Sequence, residues 1–331
     1  MKLTAFKSAT IGMMTIMAGA CVAQEAAIEV NYGYLPVPTM PLFAAEAHGL
    51  FEDFGVDVNL IKFTSGPAQF QSLQAGSIDL AQGALAAFYM ASTRGLEAKW
   101  VYNIGDASAI SGLVLSEGNS LDSYADLAGK SISAPPGSIL HLFHLSQAMD
   151  ADLDFDQVDF VPLPPPQAVS AIQNGNVDAA WLWEPLLSIA EANGAVQVRN
   201  ASKIGLHDVF GLAAGEDWVE SEEGRDAVAR VSRALTAGIA AYEQDPALTL
   251  AKIEEMTGIK PELAQSIIAR TNWATVADQV AETNVFSLTG PDGSGAVIDW
   301  IDDRALAAGL INASGAGADF LDPRSAKMAA Q

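Results

Sequence analysis

The sequence LQAGSIDLA at positions 73–81 returns in altered form as IQNGNVDAA at positions 172–180. In each copy an apolar helical pattern stops at a glycine, Gly76 or Gly175, and a short apolar run follows. Glycine commonly ends a helix, and short apolar runs bounded by turn residues favour strands. The repeat therefore predicts two similar units, each with a strand that follows such a helix.

Strand patterns alternate with helical patterns outward from both copies. Strands are predicted over 28–32, 56–61, 78–81, 130–134, 158–161 and 177–181, and helices over 42–49, 67–75, 138–148 and 166–174. This alternation favours an α/β fold with parallel strands joined by right-handed crossovers. After Trp218 the pattern is mainly helical, over 224–242, 247–256, 261–270 and 297–308. The pattern alone leaves open whether these late helices form a third domain or complete the first unit.

The first 23 residues have the features of a secretory signal peptide. Lys2 and Lys7 give a positive start, residues 8–20 carry no charge, and small residues precede Ala23. The apolar stretch is shorter than the roughly 20 residues that a membrane span needs. Cleavage after Ala23 predicts a periplasmic protein. Cleavage before Cys21 would instead leave a lipid anchor, which we disfavour because an alanine stands where lipoprotein leaders prefer leucine.

The composition excludes several classes of function. The chain has 17 Lys and Arg against 40 Asp and Glu, a formal net charge of −23, so a nucleic acid is a poor partner. Its single cysteine, Cys21, falls in the predicted leader, which removes disulfides, thiolate metal sites and cysteine nucleophiles from the mature chain. With only four histidines and no clustered metal ligands in the sequence, we expect neither a metal nor another cofactor.

Several stretches together resemble the periplasmic receptors of nitrate, sulfonate and taurine importers, and within that family the taurine-binding receptors most of all. Resemblance extends over about residues 28–310, and no single motif decides it. The stretches that carry it are FTSG at 63–66, LQAGSID at 73–79, DLAGK at 126–130, LPPP at 163–166, GNVDAAWLWEP at 175–185, DVF at 208–210, TNWAT at 271–275 and LTGP at 288–291.

The resemblance implies the two-lobed type II periplasmic binding protein fold. Lobe one would comprise residues 24–112 and 213–331, with the late helices completing it, and lobe two would comprise residues 113–212. Crossing strands near 112–115 and 209–213 would form the hinge. Such a receptor would close around a small ligand and deliver it, as a monomer, to an ABC permease with its ATPase.

Taurine, the ligand that the resemblance favours, carries a sulfonate and an ammonium, so its site needs donors at one end and acceptors at the other. Ser138 follows Pro135-Pro136-Gly137 and opens a helix, whose free N–H groups favour anions. Its hydroxyl has two candidate roles, N-cap and ligand donor. His141 matches a histidine of the taurine receptors and is a second candidate donor, whereas His144 has no such match and is expected to be structural.

The acceptor end is predicted at Asp208 and Glu184. Asp208 lies beside the predicted hinge in the segment DVF, where it would pair with an ammonium. Glu184 would either bind the ligand or close the lobes through a salt bridge. The ring of Trp183 would face the cation, while Trp181 on the same strand is expected in the core.

Two further contacts are predicted from lobe one, and two departures bear on the ligand. Tyr34 would act as a lid contact and Gln82 as a weaker one. Where taurine receptors carry serines and threonines, this chain has GALAA at 83–87 and Ile139-Leu140. An alkanesulfonate, nitrate, a pyrimidine or a carboxylate therefore stay alternatives to taurine, as do a cleft enzyme and a receptor coupled to a signalling protein.

Overall fold

The computed structural model describes residues 26–315 and 317–331, so the predicted leader lies outside the described residues. Eleven strands occur in the described part. They are β1 (Ile28–Tyr34), β2 (Val56–Lys62), β3 (Leu80–Ala84), β4 (Ala98–Asp106), β5 (Ser111–Leu115), β6 (Ser131–Ser133), β7 (Asp159–Val161), β8 (Ala179–Trp183), β9 (Val196–Asn200), β10 (Val209–Gly215) and β11 (Asn272–Trp273).

Helices connect these strands and dominate the chain after β10. They are α1 (Met40–Ala47), α2 (Leu50–Asp53), α3 (Gly66–Gln74), α4 (Leu85–Ser92), α5 (Ile139–Asp150), α6 (Pro165–Gln173), α7 (Leu186–Ala192), α8 (Glu216–Glu220), α9 (Glu222–Gln244), α10 (Pro246–Thr257), α11 (Pro261–Ile268), α12 (Val276–Gln279), α13 (Ser294–Ala307) and α14 (Arg324–Ala329). Within the described residues, no helix combines the length and the apolar character that crossing a bilayer requires.

The strands form two sheets with matching order. The six-stranded sheet runs β11-β4-β10-β3-β1-β2, and the five-stranded sheet runs β7-β6-β8-β5-β9. In each, three strands are parallel, β2-β1-β3 and β7-β6-β8, as the strand–helix alternation predicts. The difference is that β10 and β5 join them antiparallel, because each enters its sheet from the other sheet. The fold is therefore the predicted two-sheet α/β architecture, with mixed rather than fully parallel sheets.

The sequence repeat occupies the same place in both sheets. The carboxylate of Asp79 accepts a hydrogen bond from the backbone N–H of Asn31 in β1, at 2.8 Å. Asp178 likewise accepts from the N–H of Ser131 in β6, at 2.8 Å. Each aspartate thus ties the turn before the third parallel strand to the first one. The repeat marks this shared turn, so β3 and β8 begin after the aspartates rather than before them as predicted.

The late helices complete the six-stranded side, as the resemblance implied. The long helix α9 buries one stripe, which includes Val228, Val231 and Leu235, while its other face is polar. That stripe shares a core with Val30 and Tyr32 of β1. At α13, Trp300 lies 6.3 Å from Phe143 of α5, ring centre to ring centre, so this helix also contacts the five-stranded side.

Two short connections join the sheets. Residues 107–110 lead from β4 to β5, and residues 201–208 lead from β9 to β10. The segments predicted as hinge strands, 112–115 and 209–213, lie wholly inside the five-stranded and the six-stranded sheet respectively. The links between the sheets are therefore short segments just before those strands, each with one 3-10 turn.

Candidate functional site

A cavity of about 1190 Å³ is lined from both sheets. The six-stranded side contributes the loop of residues 35–39 after β1, the segment 64–67 after β2 and the residues at the end of β3. The five-stranded side contributes residues 135–139 after β6 and residues 183–186 after β8. Ligands of open α/β sheets bind at such carboxyl ends of strands, which makes this cavity the candidate site.

Several helices begin at the cavity wall. The N-terminal residues of α3, α4 and α5 line it, as does Thr39, the residue before α1. Thr39, Ser65 and Ala84 make no side-chain cap at the starts of α1, α3 and α4. The first N–H groups of a helix lack partners within the helix, and the helix dipole is positive at this end. These N-termini at the wall of one cavity can therefore hold an anion.

Ser138 acts as a cap in the structure and also lines the cavity. Its hydroxyl donates to the carbonyl of Pro135 at 2.7 Å and accepts from the backbone N–H of His141 at 3.3 Å. The capping role is thus confirmed, and the hydroxyl proton is used within the loop that carries Gly137. A ligand contact through this hydroxyl stays a prediction.

His141 lies behind the wall rather than on it. Its ring stacks on Phe160, with centres 4.3 Å apart, and its Nδ1 lies 3.3 Å from the backbone N–H of Gly137. Burial lowers the pKa of His141 to about 4, so the imidazole is neutral near pH 7. His144, expected to be structural, is buried and bonded through Nδ1 to the hydroxyl of Tyr124 at 2.8 Å.

Asp208 lies at the cavity wall, at the end of the connection 201–208, and its carbonyl accepts a hydrogen bond from Ala107 of the other connection. Its Oδ2 accepts a hydrogen bond from Ser111 at 3.0 Å, and its backbone N–H donates to Asp106 Oδ1 at 3.0 Å. Burial raises the pKa of Asp208 to about 7, and the charge of Asp106 adds to this, whereas the bond from Ser111 opposes it. A cation beside this carboxyl would favour its ionised form, with the proton released to solvent.

Asp106 was not predicted from the sequence. Its Oδ1 accepts from the N–H of Ser108 at 2.8 Å as well as from Asp208, and its Oδ2 contacts His207 Nδ1 at 2.8 Å. Burial by itself would raise its pKa, but the hydrogen bonds from His207 and Ser108 bring the pKa of Asp106 below its ordinary value. Asp106 therefore holds both connections together through one carboxylate.

Glu184 is enclosed in a network of its own. Arg270, just after α11 on the six-stranded side, donates from Nη2 to Glu184 Oε1 at 2.5 Å. Ser188 donates to the same carboxylate through its hydroxyl at 2.8 Å and its N–H at 3.0 Å. Of the two predicted roles, this ion pair between the two sides favours closing over ligand contact. No signal in the sequence identified Arg270.

Of the remaining predicted residues, two line the cavity and the others do not. Trp183 and Gln82 line the cavity, and the Gln82 amide is held between Thr39 Oγ1 at 2.7 Å and the Tyr32 hydroxyl at 3.1 Å. Tyr34 instead packs edge-on against Phe43, with ring centres 5.8 Å apart, and is not among the cavity-lining residues. Trp181 is buried in the core, as predicted.

Comparison with known proteins identifies the family of this chain. A sequence profile described as the NMT1-like family matches residues 23–254, well over half of the chain. The chain belongs to the NMT1-like family.

Relatives of this NMT1-like chain carry the names that its motifs suggested. It is 32% identical over 153 residues to an aliphatic sulfonates-binding protein of Bacillus subtilis (strain 168), a match of 45% of this chain and 46% of the relative. It is 23% identical over 288 residues to the taurine-binding periplasmic protein of Escherichia coli (strain K12), a match of 83% and 86%. The chain therefore spans about half the length of the Bacillus relative and most of the Escherichia one. The resemblance to sulfonate and taurine receptors is confirmed.

Solved structures confirm the periplasmic binding protein fold of this NMT1-like chain. The alkanesulfonate-binding protein SsuA of Xanthomonas axonopodis pv. citri, bound to MOPS, matches with a TM-score of 0.73 at 20% identity, covering 91% of this chain and all of SsuA. The desulfurization enzyme DszB matches with a TM-score of 0.65 at 15% identity, covering 92% and 99%. The same fold thus serves both binding and catalysis, and fold alone does not separate them.

Proposed function

We propose that the chain is the periplasmic solute-binding component of an ABC importer and that it captures taurine or a related small amino-sulfonate. One observation carries the proposal. The uncapped starts of α1, α3 and α4 face the same cavity as the buried carboxyl of Asp208. The first feature suits a sulfonate and the second an ammonium, and the two charges of an amino-sulfonate require such a pair.

The names of the relatives support this class of ligand and the compartment. The Escherichia coli relative is a periplasmic taurine-binding protein, and the Bacillus relative binds aliphatic sulfonates by name. The sequence of residues 1–23, typical of an export signal, agrees with the periplasm. The partner would be a permease with its ATPase, to which the chain delivers its ligand as a monomer.

Ligand capture would proceed by closure of two lobes. We place lobe one around the six-stranded sheet and lobe two around the five-stranded sheet, with the connections 107–110 and 201–208 between them, a few residues before the predicted borders at 112/113 and 212/213. A ligand bound to one lobe would draw in the other, and the closed form would be the one that the importer recognises. Because Asp208 lies in one of these connections, its contact with the ammonium would act directly on the segment that moves during closure.

Within this proposal each predicted residue has an assigned task. Asp208 would accept the ammonium, Trp183 would cover it with its ring, and Ser138 and Gln82 would contact the ligand from opposite lobes. Glu184 would close the lobes through Arg270. The rings of Tyr34 and His141 pack against Phe43 and Phe160. Their assigned role is to support the cavity wall from behind.

Titration calorimetry on the mature chain tests the proposal. The ligands are taurine, alkanesulfonates, nitrate, pyrimidines and small carboxylates, each recovered afterwards and checked for chemical change by mass spectrometry. Binding of an amino-sulfonate that is recovered unchanged is the expected result. If only another class of compound binds, the amino-sulfonate proposal is wrong and that class contains the ligand. If the protein converts the ligand chemically, it is an enzyme and the receptor proposal is wrong.

A further inference from the structure

Thr39 precedes α1 at the cavity wall, yet its hydroxyl does not cap that helix. A threonine in this place usually accepts from N–H groups of the first turn. Here the second helical residue is Pro41, which has no N–H, and Thr39 Oγ1 instead accepts from Gln82 Nε2 at 2.7 Å. The Thr39 side chain is therefore oriented by β3 rather than by its own helix.

A tyrosine behind the wall fixes the direction of this bond. The Tyr32 hydroxyl in β1 lies 3.1 Å from Gln82 Oε1, and Tyr32 is fully buried and not among the cavity-lining residues. Burial raises the pKa of Tyr32 well above its ordinary value, so the phenol keeps its proton. A buried proton without an acceptor is costly. Tyr32 therefore donates to Gln82 Oε1, and the amide presents its Nε2 to Thr39.

This direction leaves donors without acceptors on the six-stranded side of the cavity. Thr39 Oγ1 accepts from Gln82, and within the described residues no acceptor takes its own proton. Gln69 of α3 also lines the cavity and is 1% exposed, and its Nε2 has no hydrogen-bond partner among the described residues. The uncapped starts of α1, α3 and α4 add free N–H groups. Such an excess of donors matches the oxygens of an anionic group, which only accept.

Resting on the proposed function, we infer that Thr39 donates its hydroxyl proton to the anionic group of the ligand, and that Tyr32 and Gln82 orient this proton from behind the wall. Thr39 is then a binding residue, and Tyr32 is a positioning residue that does not touch the ligand. Without the Tyr32 hydroxyl, the Gln82 amide would be free to turn, and Thr39 would donate to its oxygen instead of to the ligand. Gln82 keeps its second N–H for the ligand contact assigned to it above.

Calorimetry with taurine on matched variants tests this inference. Thr39→Val keeps the shape and removes the hydroxyl, so we expect binding at least about tenfold weaker, whereas Thr39→Ser keeps the hydroxyl and should stay within about threefold of the native chain. Tyr32→Phe should weaken binding by about three- to tenfold although it lies outside the cavity. The control is Tyr102→Phe, which removes a hydroxyl bonded to Thr236 in the same sheet, away from the cavity, and should leave the affinity unchanged.

The double variant separates positioning from a merely structural effect. If Tyr32 acts through Thr39, Tyr32→Phe adds no further loss in a Thr39→Val background, because no proton is left to orient. Additive losses would overturn the positioning role of Tyr32, and an unchanged affinity in Thr39→Val would overturn the role of Thr39. Both results would keep the amino-sulfonate receptor.

Ethanesulfonate, acetate and uracil, titrated against the same variants, separate this inference from the proposed function. If ethanesulfonate or acetate binds in place of taurine and shows the same losses, the amino-sulfonate proposal is wrong and the role of Thr39 stands. If one of them binds and the Thr39 variants leave its affinity unchanged, both are wrong. Binding of uracil alone, which carries no anionic group, would also overturn both.

Discussion

The guanidinium of Arg270 lies 2.5 Å from the carboxylate of Glu184, and the two residues stand on opposite sides of the connection 107–110. Glu184 donates its backbone N–H to the carbonyl of Ile110 at 3.1 Å, at the end of that connection. Asn272, two residues after Arg270, pairs with Asp106 at its start. The ion pair therefore bridges one of the two links between the sheets.

Replacing Arg270 by alanine should destabilise the protein. The Glu184 side chain is 1% exposed, so without Arg270 it keeps only the bonds from Ser188 for a buried charge. We expect the free energy of unfolding to fall by about 1–3 kcal/mol in a urea titration. Lys260→Ala is the control, because Lys260 makes an exposed pair with Glu254 and should change the value by less than about 1 kcal/mol. If both variants lose the same free energy of unfolding, the Arg270–Glu184 pair contributes no more to stability than an exposed ion pair.

The carboxyl of Asp208 should make stability depend on pH in an unusual direction. Its pKa is about 7 in the folded protein, against about 3.9 in an unfolded chain. Between about pH 4 and pH 7 the folded state holds a proton that the unfolded state has lost, so the contribution of Asp208 to stability falls as pH rises and levels off above that window. Burial lowers the pKa of His141 and His144 to about 4, which acts in the opposite sense over the same range, so urea titrations of the ligand-free protein measure the Asp208 slope as a difference from a matched variant.

The matched variant is Asp208→Asn, which keeps the shape and removes the titration. Relative to this variant, the native chain should lose stability as pH rises from about 4 to about 7. Parallel curves for the two proteins would mean that Asp208 is ionised throughout the range and that its burial does not hold the proton.

Asp106 should set the proton affinity of Asp208. Asp106→Asn keeps the Oδ1 acceptor for the N–H groups of Ser108 and Asp208 but removes the negative charge. Because that charge helps to raise the pKa of Asp208, we expect the pKa of Asp208 to fall in the variant. Carboxyl carbon NMR of Asp208 measures it directly. An unchanged midpoint in a folded variant would show that burial alone sets the value.

The close packing of β10 between β3 and β4 gives a test of the fold. A Cβ at Gly211 would lie 2.0 Å from the carbonyl oxygen of Tyr102, a backbone atom that cannot move aside easily. Gly211→Ala should therefore lower the free energy of unfolding by about 3 kcal/mol or more. Gly215→Ala, in the same strand, meets no atom within 4 Å and should stay within about 0.5 kcal/mol in the same urea titration. Similar values for the two would contradict the strand pairing described for β10.

The fold was largely predictable because local pattern and topology agree. The repeat at 73–81 and 172–180 predicted two related sheets, and Asp79 and Asp178 occupy matching turns in them. The helix α4 was missed because its sequence, LAAFYMAS, is apolar on nearly every face, and most of its residues are buried. Without an amphipathic period, such a segment gives no helical signal.

The site was only partly predictable, for a physical reason. Asp208 and Trp183 were predicted from family resemblance, Ser138 from the start of a helix and Gln82 from the end of a strand, and the structure brings all four to one cavity. Arg270 and Asp106 were missed, since their partners Glu184 and Asp208 lie 86 and 102 residues away along the chain. Such contacts depend on how the sheets are joined, which no local pattern encodes.

A crystal structure of the mature chain with bound taurine tests the central claim most directly. We expect the ligand in the cavity between the sheets, with its nitrogen within about 3.2 Å of Asp208 Oδ1 and its sulfonate oxygens on backbone N–H groups at the starts of the wall helices. A ligand bound outside this cavity, or one whose nitrogen points away from Asp208, would contradict it.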